Sequence, residues 1–258
     1  MKKGFLYLIF ICTLLLWNTI NCTKKDDTNN MNEDASVYKA RGRTSFDQKK
    51  YDKSIVNYTK AIELDLQNDN LYSERGLVYE IRKEYDKALA DYNKAIELNP
   101  NSIFLYPKRA NLYIKLKEYE KAIVDYTKNI DVDSSPSAFI YRGKLYNRLN
   151  EYEKAIVHFS KAIDINAMNV FSYFHRGFAY YKQEKYEKAI ADFSKAIEIN
   201  PDFIYAFDAY SLRGHSYSKI KEYDKGIADY NRVIKLNPNL KDRVEKTIKD
   251  IEALKAEN

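Results

Sequence analysis

The residues with the widest chemical reach are three histidines, His158, His175 and His215, and two cysteines, Cys12 and Cys22. A metal site needs several imidazole or thiolate donors at short fixed spacing, and no His-x-x-x-His or Cys-x-x-Cys pair occurs. There is no glycine-rich phosphate loop and no nucleophile elbow. His175 and His215 occupy related places in consecutive segments and could approach one another. No carboxylate or cysteine shares their register, so they read as ordinary side chains. Acidic residues recur once per segment, which suits a scaffold better than an acid–base pair. An arginine recurs in the same way, at Arg41, Arg75, Arg109, Arg142, Arg176 and Arg213. That row could be a ladder of cations for an acidic peptide, or it could pair with Asp91, Asp125, Asp192 and Asp229. A feature tied to every segment favours the structural pairing. These residues point to no enzyme, no cofactor and no metal.

The elements that must position these residues are set by composition and period. Of 258 residues, 45% are hydrophobic and 31% charged, which fits a folded body and argues against disorder. Seven Gly, five Pro and two Cys exclude a collagenous chain and a disulfide-stapled mini-protein. Lys and Arg total 43 against 37 acids, a formal charge of +6 with the signs interspersed. Mild, mixed basicity argues against nucleic acid as the partner. The 24 tyrosines require an architectural explanation.

The first residues read as a targeting segment. Lys2 and Lys3 precede an apolar run over 4–17, too short for a stable membrane span and typical of a secretory signal, assigned to 1–21. Residues 23–34 are polar and aperiodic, a flexible tether. Thr19-Ile20-Asn21-Cys22 resembles a relaxed bacterial lipobox, although Asn21 replaces the usual small residue and Thr19 the usual Leu. The resemblance implies cleavage before Cys22, lipidation of that cysteine, and a lipid-anchored protein of the bacterial envelope, periplasmic or surface. A different cleavage site, giving a secreted protein, or an uncleaved N-terminal membrane anchor are the alternatives. A chain starting at Cys22 retains one cysteine and can form no internal disulfide.

From residue 35 the chain repeats. Gly42, Gly76, Ala110, Gly143, Gly177 and Gly214 lie 34, 34, 33, 34 and 37 residues apart. Each follows an arginine of the row above, and nine residues later comes Tyr51, Tyr85, Tyr119, Tyr152, Tyr186 or Tyr223. Self-similarity at this period is the signature of a solenoid. Small residues at 8, 20 and 27, aromatics at 11 and 24 and Pro near 32 of each repeat resemble the tetratricopeptide repeat family. The match covers about 35–240 in six repeats: 35–68, 69–102, 103–135, 136–169, 170–206 and 207–240. The resemblance implies an all-α, right-handed superhelix of antiparallel helix pairs.

Residue types agree with paired helices. Gly within a helix costs about 1 kcal/mol relative to Ala, so its recurrence implies close helix approach. Ala88, Ala122, Ala155 and Ala189 allow the same from the second helix, and tyrosines fill the adjoining holes. The acids after each turn tyrosine, from Asp52 to Asp224, meet the positive end of the second helix. Pro107 should delay the start of its helix. Three extra residues in Pro201–Tyr210 predict a longer first helix in repeat six. Leu240, Val244, Ile248, Ile251 and Leu254 form one apolar stripe, predicting a capping helix over 241–258.

In the family, five positions of each first helix face a concave groove. Carried over, they give Lys39, Arg43, Asn111, Lys144, Phe171, Phe174, Phe178, Tyr181 and His215 as candidates. The lysine–asparagine clamp for a chain-terminal carboxylate is not present, since Arg43 follows Lys39 and Glu74 and Phe104 stand at later clamp positions. The four repeat-five aromatics would be an exposed apolar patch, a usual mark of a binding site, unless they pack against 202–209. The expected function is that of a non-enzymatic, monomeric adaptor that binds a peptide or helix of a partner protein in its groove. A structural, self-associating envelope protein or a non-catalytic subunit of an enzyme complex is the alternative.

Overall fold

The two hydrophobic rhythms of each segment fold, in the computed structural model, as two helices joined by a tight turn. The structure describes residues 34–257, so the signal segment, Cys22 and nearly all of the tether lie outside the described residues. The described residues are all-α, with no strand among them. They divide into two units, one ending at Pro100 and one beginning at Asn101. The first holds α1 (Ala35–Asp47), α2 (Tyr51–Leu64), α3 (Asp69–Ile81) and α4 (Tyr85–Leu98). The second holds α5 (Leu105–Lys115), α6 (Tyr119–Val132), α7 (Pro136–Arg148), α8 (Tyr152–Ile165) and α9 (Val170–Lys182). It continues with α10 (Tyr186–Ile199), α11 (Ala206–Lys219), α12 (Tyr223–Leu236), a 3-10 turn (Pro238–Leu240) and α13 (Lys241–Ala256).

One turn design serves all six pairs. The second residue after each first helix is left-handed: Lys49, Lys83, Lys117, Asn150, Glu184 and Lys221 have φ between 58° and 63°. Two reverse hydrogen bonds close it, for example from Lys83 N–H to the Glu80 carbonyl (3.0 Å) and from Glu84 N–H to the Tyr79 carbonyl (2.9 Å). This is the Schellman arrangement, made here without glycine at a cost of about 1 kcal/mol per turn. Asp52, Asp86, Glu120, Glu153, Glu187 and Asp224 then sit in the first turn of each second helix, as expected from the helix dipole.

Each pair is packed by a small residue against a ring. A Cβ added at Gly42 would lie 2.9 Å from the Tyr58 ring, and one at Gly143 would lie 2.8 Å from Phe159. At Gly76 and Gly177 the nearest ring atom, of Tyr92 and Phe193, would be at 3.0 Å. These rings are fully buried, so the seam has no room for a methyl group. Tyr58 reaches Glu74 with its hydroxyl (3.5 Å), Tyr92 donates to Glu80 (2.8 Å) and Tyr126 to Asn111 (2.8 Å). Burial, then the neighbouring Glu, drives the Tyr58 and Tyr92 phenols well above their ordinary range.

The arginine row is a structural staple. Arg75, Arg109, Arg176 and Arg213 each grip the aspartate sixteen residues on, Asp91, Asp125, Asp192 and Asp229, through two bonds of 2.6–2.9 Å. Arg75 extends a third bond to Thr59 of the preceding repeat (3.0 Å), as do Arg176 to Ser160 (3.0 Å) and Arg213 to Ser194 (2.9 Å). A planar guanidinium can thus hold its own helix pair and the one before it. Repeat four departs. Its aspartate is replaced by His158, whose Nε2 accepts from Arg142 Nε (3.2 Å), while Arg142 Nη1 donates to Thr127 (2.8 Å). The His158 ring stacks on Tyr146 at 5.4 Å. Burial and then Arg142 depress its pKa to about 4.

The irregular positions of the sequence have separate outcomes. Pro107 does delay its helix, since α5 begins at Leu105 and has 11 residues against 13 in α1. The extra residues before repeat six do not lengthen the helix appreciably, because α11 has 14 residues. They form the turn 200–205 instead, and Phe203 from that turn is buried. An apolar side chain in the insertion has a core to enter, and burying it outweighs one more helical turn. At the far end α13 lays Val244 and Ile251 on Tyr230 and Val233, while Leu254 stays exposed.

Candidate functional site

The second unit contains an open depression of about 650 Å³ along its first helices α7, α9 and α11. Its apolar floor comes from Phe174 and Phe178 of α9, Leu212 of α11 and Tyr205 of the inserted turn. Lys144 and Arg148 of α7 and Lys182 of α9 stand on its sides, with Asp208 as its one carboxylate. A smaller depression of about 380 Å³ adjoins it, sharing Lys144, His175 and Tyr205 and adding Phe171.

The inserted turn builds the site. Tyr205 stacks on Phe174 with centroids 4.9 Å apart and planes at 8°. Phe203 meets Phe174 edge-on at 5.8 Å, and Phe171 meets Tyr205 edge-on at 6.2 Å. Without these residues Phe174 would lie on an open helix face. His175 stacks on Phe159 (5.6 Å) and meets Tyr205 edge-on (5.6 Å). Burial first, and Lys144 second, lower its pKa to about 4, so the ring is neutral at physiological pH. Asn147 donates through Nδ2 to the His175 carbonyl at 3.0 Å and locks α7 to α9. Lys182 lies over the Phe178 ring at 5.5 Å, and Arg148 over Tyr119 at 5.8 Å.

The sequence candidates separate. Lys144, Phe171 and Phe178 come together around the two depressions. Of the two readings of the repeat-five aromatics, Phe174 takes the second and packs against the segment 202–209 instead of standing exposed in the groove. It is only 6% exposed and belongs to a core with Phe193 and Phe203, so only its edge reaches the floor. Tyr181 and His215 contact each other, hydroxyl to Nδ1 at 3.3 Å, and do not line the depressions. His175 and His215 therefore have separate surroundings and form no joint site. Asn111 accepts from Tyr126. Lys39 and Arg43 belong to the first unit. Arg148 and Lys182 line the larger depression and are not among the sequence candidates. Tyr205 had no signal beyond the three-residue insertion.

An open, aromatic-floored, cation-edged depression can hold a side chain and its flanking backbone. Among the described residues no group of three or more His, Cys, Asp or Glu side chains is placed to hold a metal ion.

Comparison with known proteins bears on the family. Models of the tetratricopeptide repeat match residues 70–102, 170–203 and 207–240, and also 91–124; a further TPR-repeat model matches 42–80 and 143–184. No curated protein matches the chain significantly. A solved tetratricopeptide repeat protein from Parabacteroides merdae superposes with a TM-score of 0.64 at 21% identity, over 85% of this chain and 92% of its own. Pseudomonas aeruginosa pilF superposes with a TM-score of 0.63 at 15% identity, over 79% of this chain and 92% of its own. YrrB, a TPR protein with an unusual peptide-binding site, gives 0.56 at 22% identity, over 70% of this chain and 92% of its own. At these identities the structures speak for the fold, and the repeat models, the helix pairs and the glycine–aromatic seams agree: the chain belongs to the tetratricopeptide repeat family.

Proposed function

We propose that the protein is a non-enzymatic interaction module that holds a peptide or helix of a partner protein in the depression along α7, α9 and α11. The observation that carries this is Tyr205. An insertion that the repeat does not need supplies the aromatic wall of an open apolar depression in the second unit. Likeness in fold to YrrB, with its unusual peptide-binding site, supports the same reading. The leader and Cys22 favour tethering in a bacterial envelope through an N-terminal lipid. No described helix is long and apolar enough to cross a membrane.

Co-purification from detergent-solubilised envelopes tests the module. The intact chain is compared with Phe178→Ala, after circular dichroism shows the variant folded. A specific protein recovered with the intact chain and absent with the variant is the expected result. Equal recovery with both places the binding surface elsewhere. Metabolic labelling with a fatty acid tests the anchor: incorporation should vanish in Cys22→Ala, and incorporation that persists refutes lipidation at that residue.

A further inference from the structure

We infer that this depression selects an acidic segment of a partner protein that carries one large apolar side chain, a conclusion that rests on the peptide-holding reading above. The reason is charge that the fold leaves over. At four of the turns an exposed lysine is neutralised locally. Lys87 pairs with Glu84, Lys121 with Glu118, Lys154 with Glu151, and Lys225 with Glu222, each with the glutamate three residues before it. Around the depression the cations have no such carboxylate beside them, and they converge on one apolar floor. Lys144 and Lys182 are exposed and have no ion-pair partner among the described residues. Arg148, also exposed, leans on a tyrosine ring and on no carboxylate.

Asp208 does not consume these charges. Burial alone raises its carboxyl, with no cation offsetting that rise. The edge therefore presents three cations to one carboxylate, above a floor whose reachable apolar atoms belong to Phe178, Tyr205 and Leu212. Exposed charges at the edge of a site steer and select a ligand of opposite sign, while a desolvated apolar floor supplies the anchor. A single-stranded nucleic acid also carries negative charge. The interspersed charge of the chain as a whole and the presence of Asp208 in the lining favour the peptide.

Fluorescence anisotropy on the full chain tests this with three labelled synthetic peptides. The first has glutamates on both sides of a single Phe. The second replaces those glutamates with Lys, and the third replaces the Phe with Ala. The first should bind at least ~10-fold more tightly than either of the others, and its binding should weaken as salt rises. Lys144→Glu combined with Lys182→Glu should abolish that preference; both side chains are exposed, so the fold should survive, and circular dichroism checks it. Equal binding of the glutamate and lysine peptides, both abolished in Phe178→Ala, overturns the acidic selection and leaves the peptide-holding reading intact. Binding of none of the three overturns both. A single-stranded oligonucleotide that displaces the first peptide at equal charge concentration overturns the choice of a protein partner.

Discussion

Gly226 invites a substitution that repeat consensus recommends and the structure opposes. At the same position four other repeats carry Ala88, Ala122, Ala155 and Ala189, all fully buried. Propensity alone makes Gly226→Ala stabilising by about 1 kcal/mol, since the position lies inside α12. A Cβ at 226, however, would lie 2.8 Å from Ser218 Oγ and 2.9 Å from the Gly214 carbonyl oxygen. The serine can rotate, giving up its 3.0 Å bond to that carbonyl. The carbonyl is backbone in the middle of α11 and cannot move alone, so α11 and α12 must separate. Overpacking of this kind costs about 1–3 kcal/mol, which exceeds the propensity gain and leaves a net loss of about 1 kcal/mol. At about 2–4 °C per kcal/mol for a chain of this size, the thermal midpoint should fall by a few degrees. Urea unfolding followed by circular dichroism gives the same quantity as a shift in midpoint. Ser218→Ala should leave most of the loss in place, because the carbonyl still blocks the added methyl. Ala189→Gly in the neighbouring repeat should also destabilise, through propensity and the missing methyl. A raised midpoint in Gly226→Ala would refute the reasoning and show that helix spacing in repeat six relaxes freely.

Other consequences are open to measurement. Replacing left-handed Lys83 or Glu184 by Gly should stabilise the chain by about 0.5–1 kcal/mol each, read as a higher urea midpoint, because the backbone strain is removed while the turn's hydrogen bonds stay. Asp192→Ala leaves Arg176 largely buried without its carboxylate and should cost about 2–4 kcal/mol, while Lys195→Ala, which breaks only a solvent-side pair with Glu198, should shift the midpoint far less. His158 and His175 titrate near 4 in the folded chain against an ordinary 6.5, so the unfolded chain binds more protons between those values. Their contribution is complete above pH 6.5 and declines as pH falls toward 4, about 1–2 kcal/mol in all after allowing for partial exposure. Unfolding midpoints at neutral and mildly acidic pH should show this decline, and His175→Gln should reduce it. Phe203→Ala should cost about 2–4 kcal/mol and also weaken peptide binding, because Phe174 and Tyr205 lose their support.

What the sequence determined by itself is whatever recurs. The glycine register, the tyrosine after each turn and the alternation of small and aromatic residues specify helix pairs, since only a repeated local geometry demands the same residue at the same place six times. The arginine–aspartate staple was legible for that reason, and so was the capping stripe. What the tertiary structure decided lies where recurrence stops. Three extra residues before repeat six could have extended a helix; the burial of Phe203 and the stacking of Tyr205 made them a turn and a wall. Phe174 has the spacing of a groove residue, the sequence left open that it packs against 202–209, and the arrival of that turn decided for the core. His158 shows no sign in sequence of its tie to Arg142, because an imidazole in an aspartate's place is a departure and not a pattern. A local repeat is encoded residue by residue, whereas a concavity needs side chains from three helices and a loop, and their meeting is settled only by which of them can be buried together.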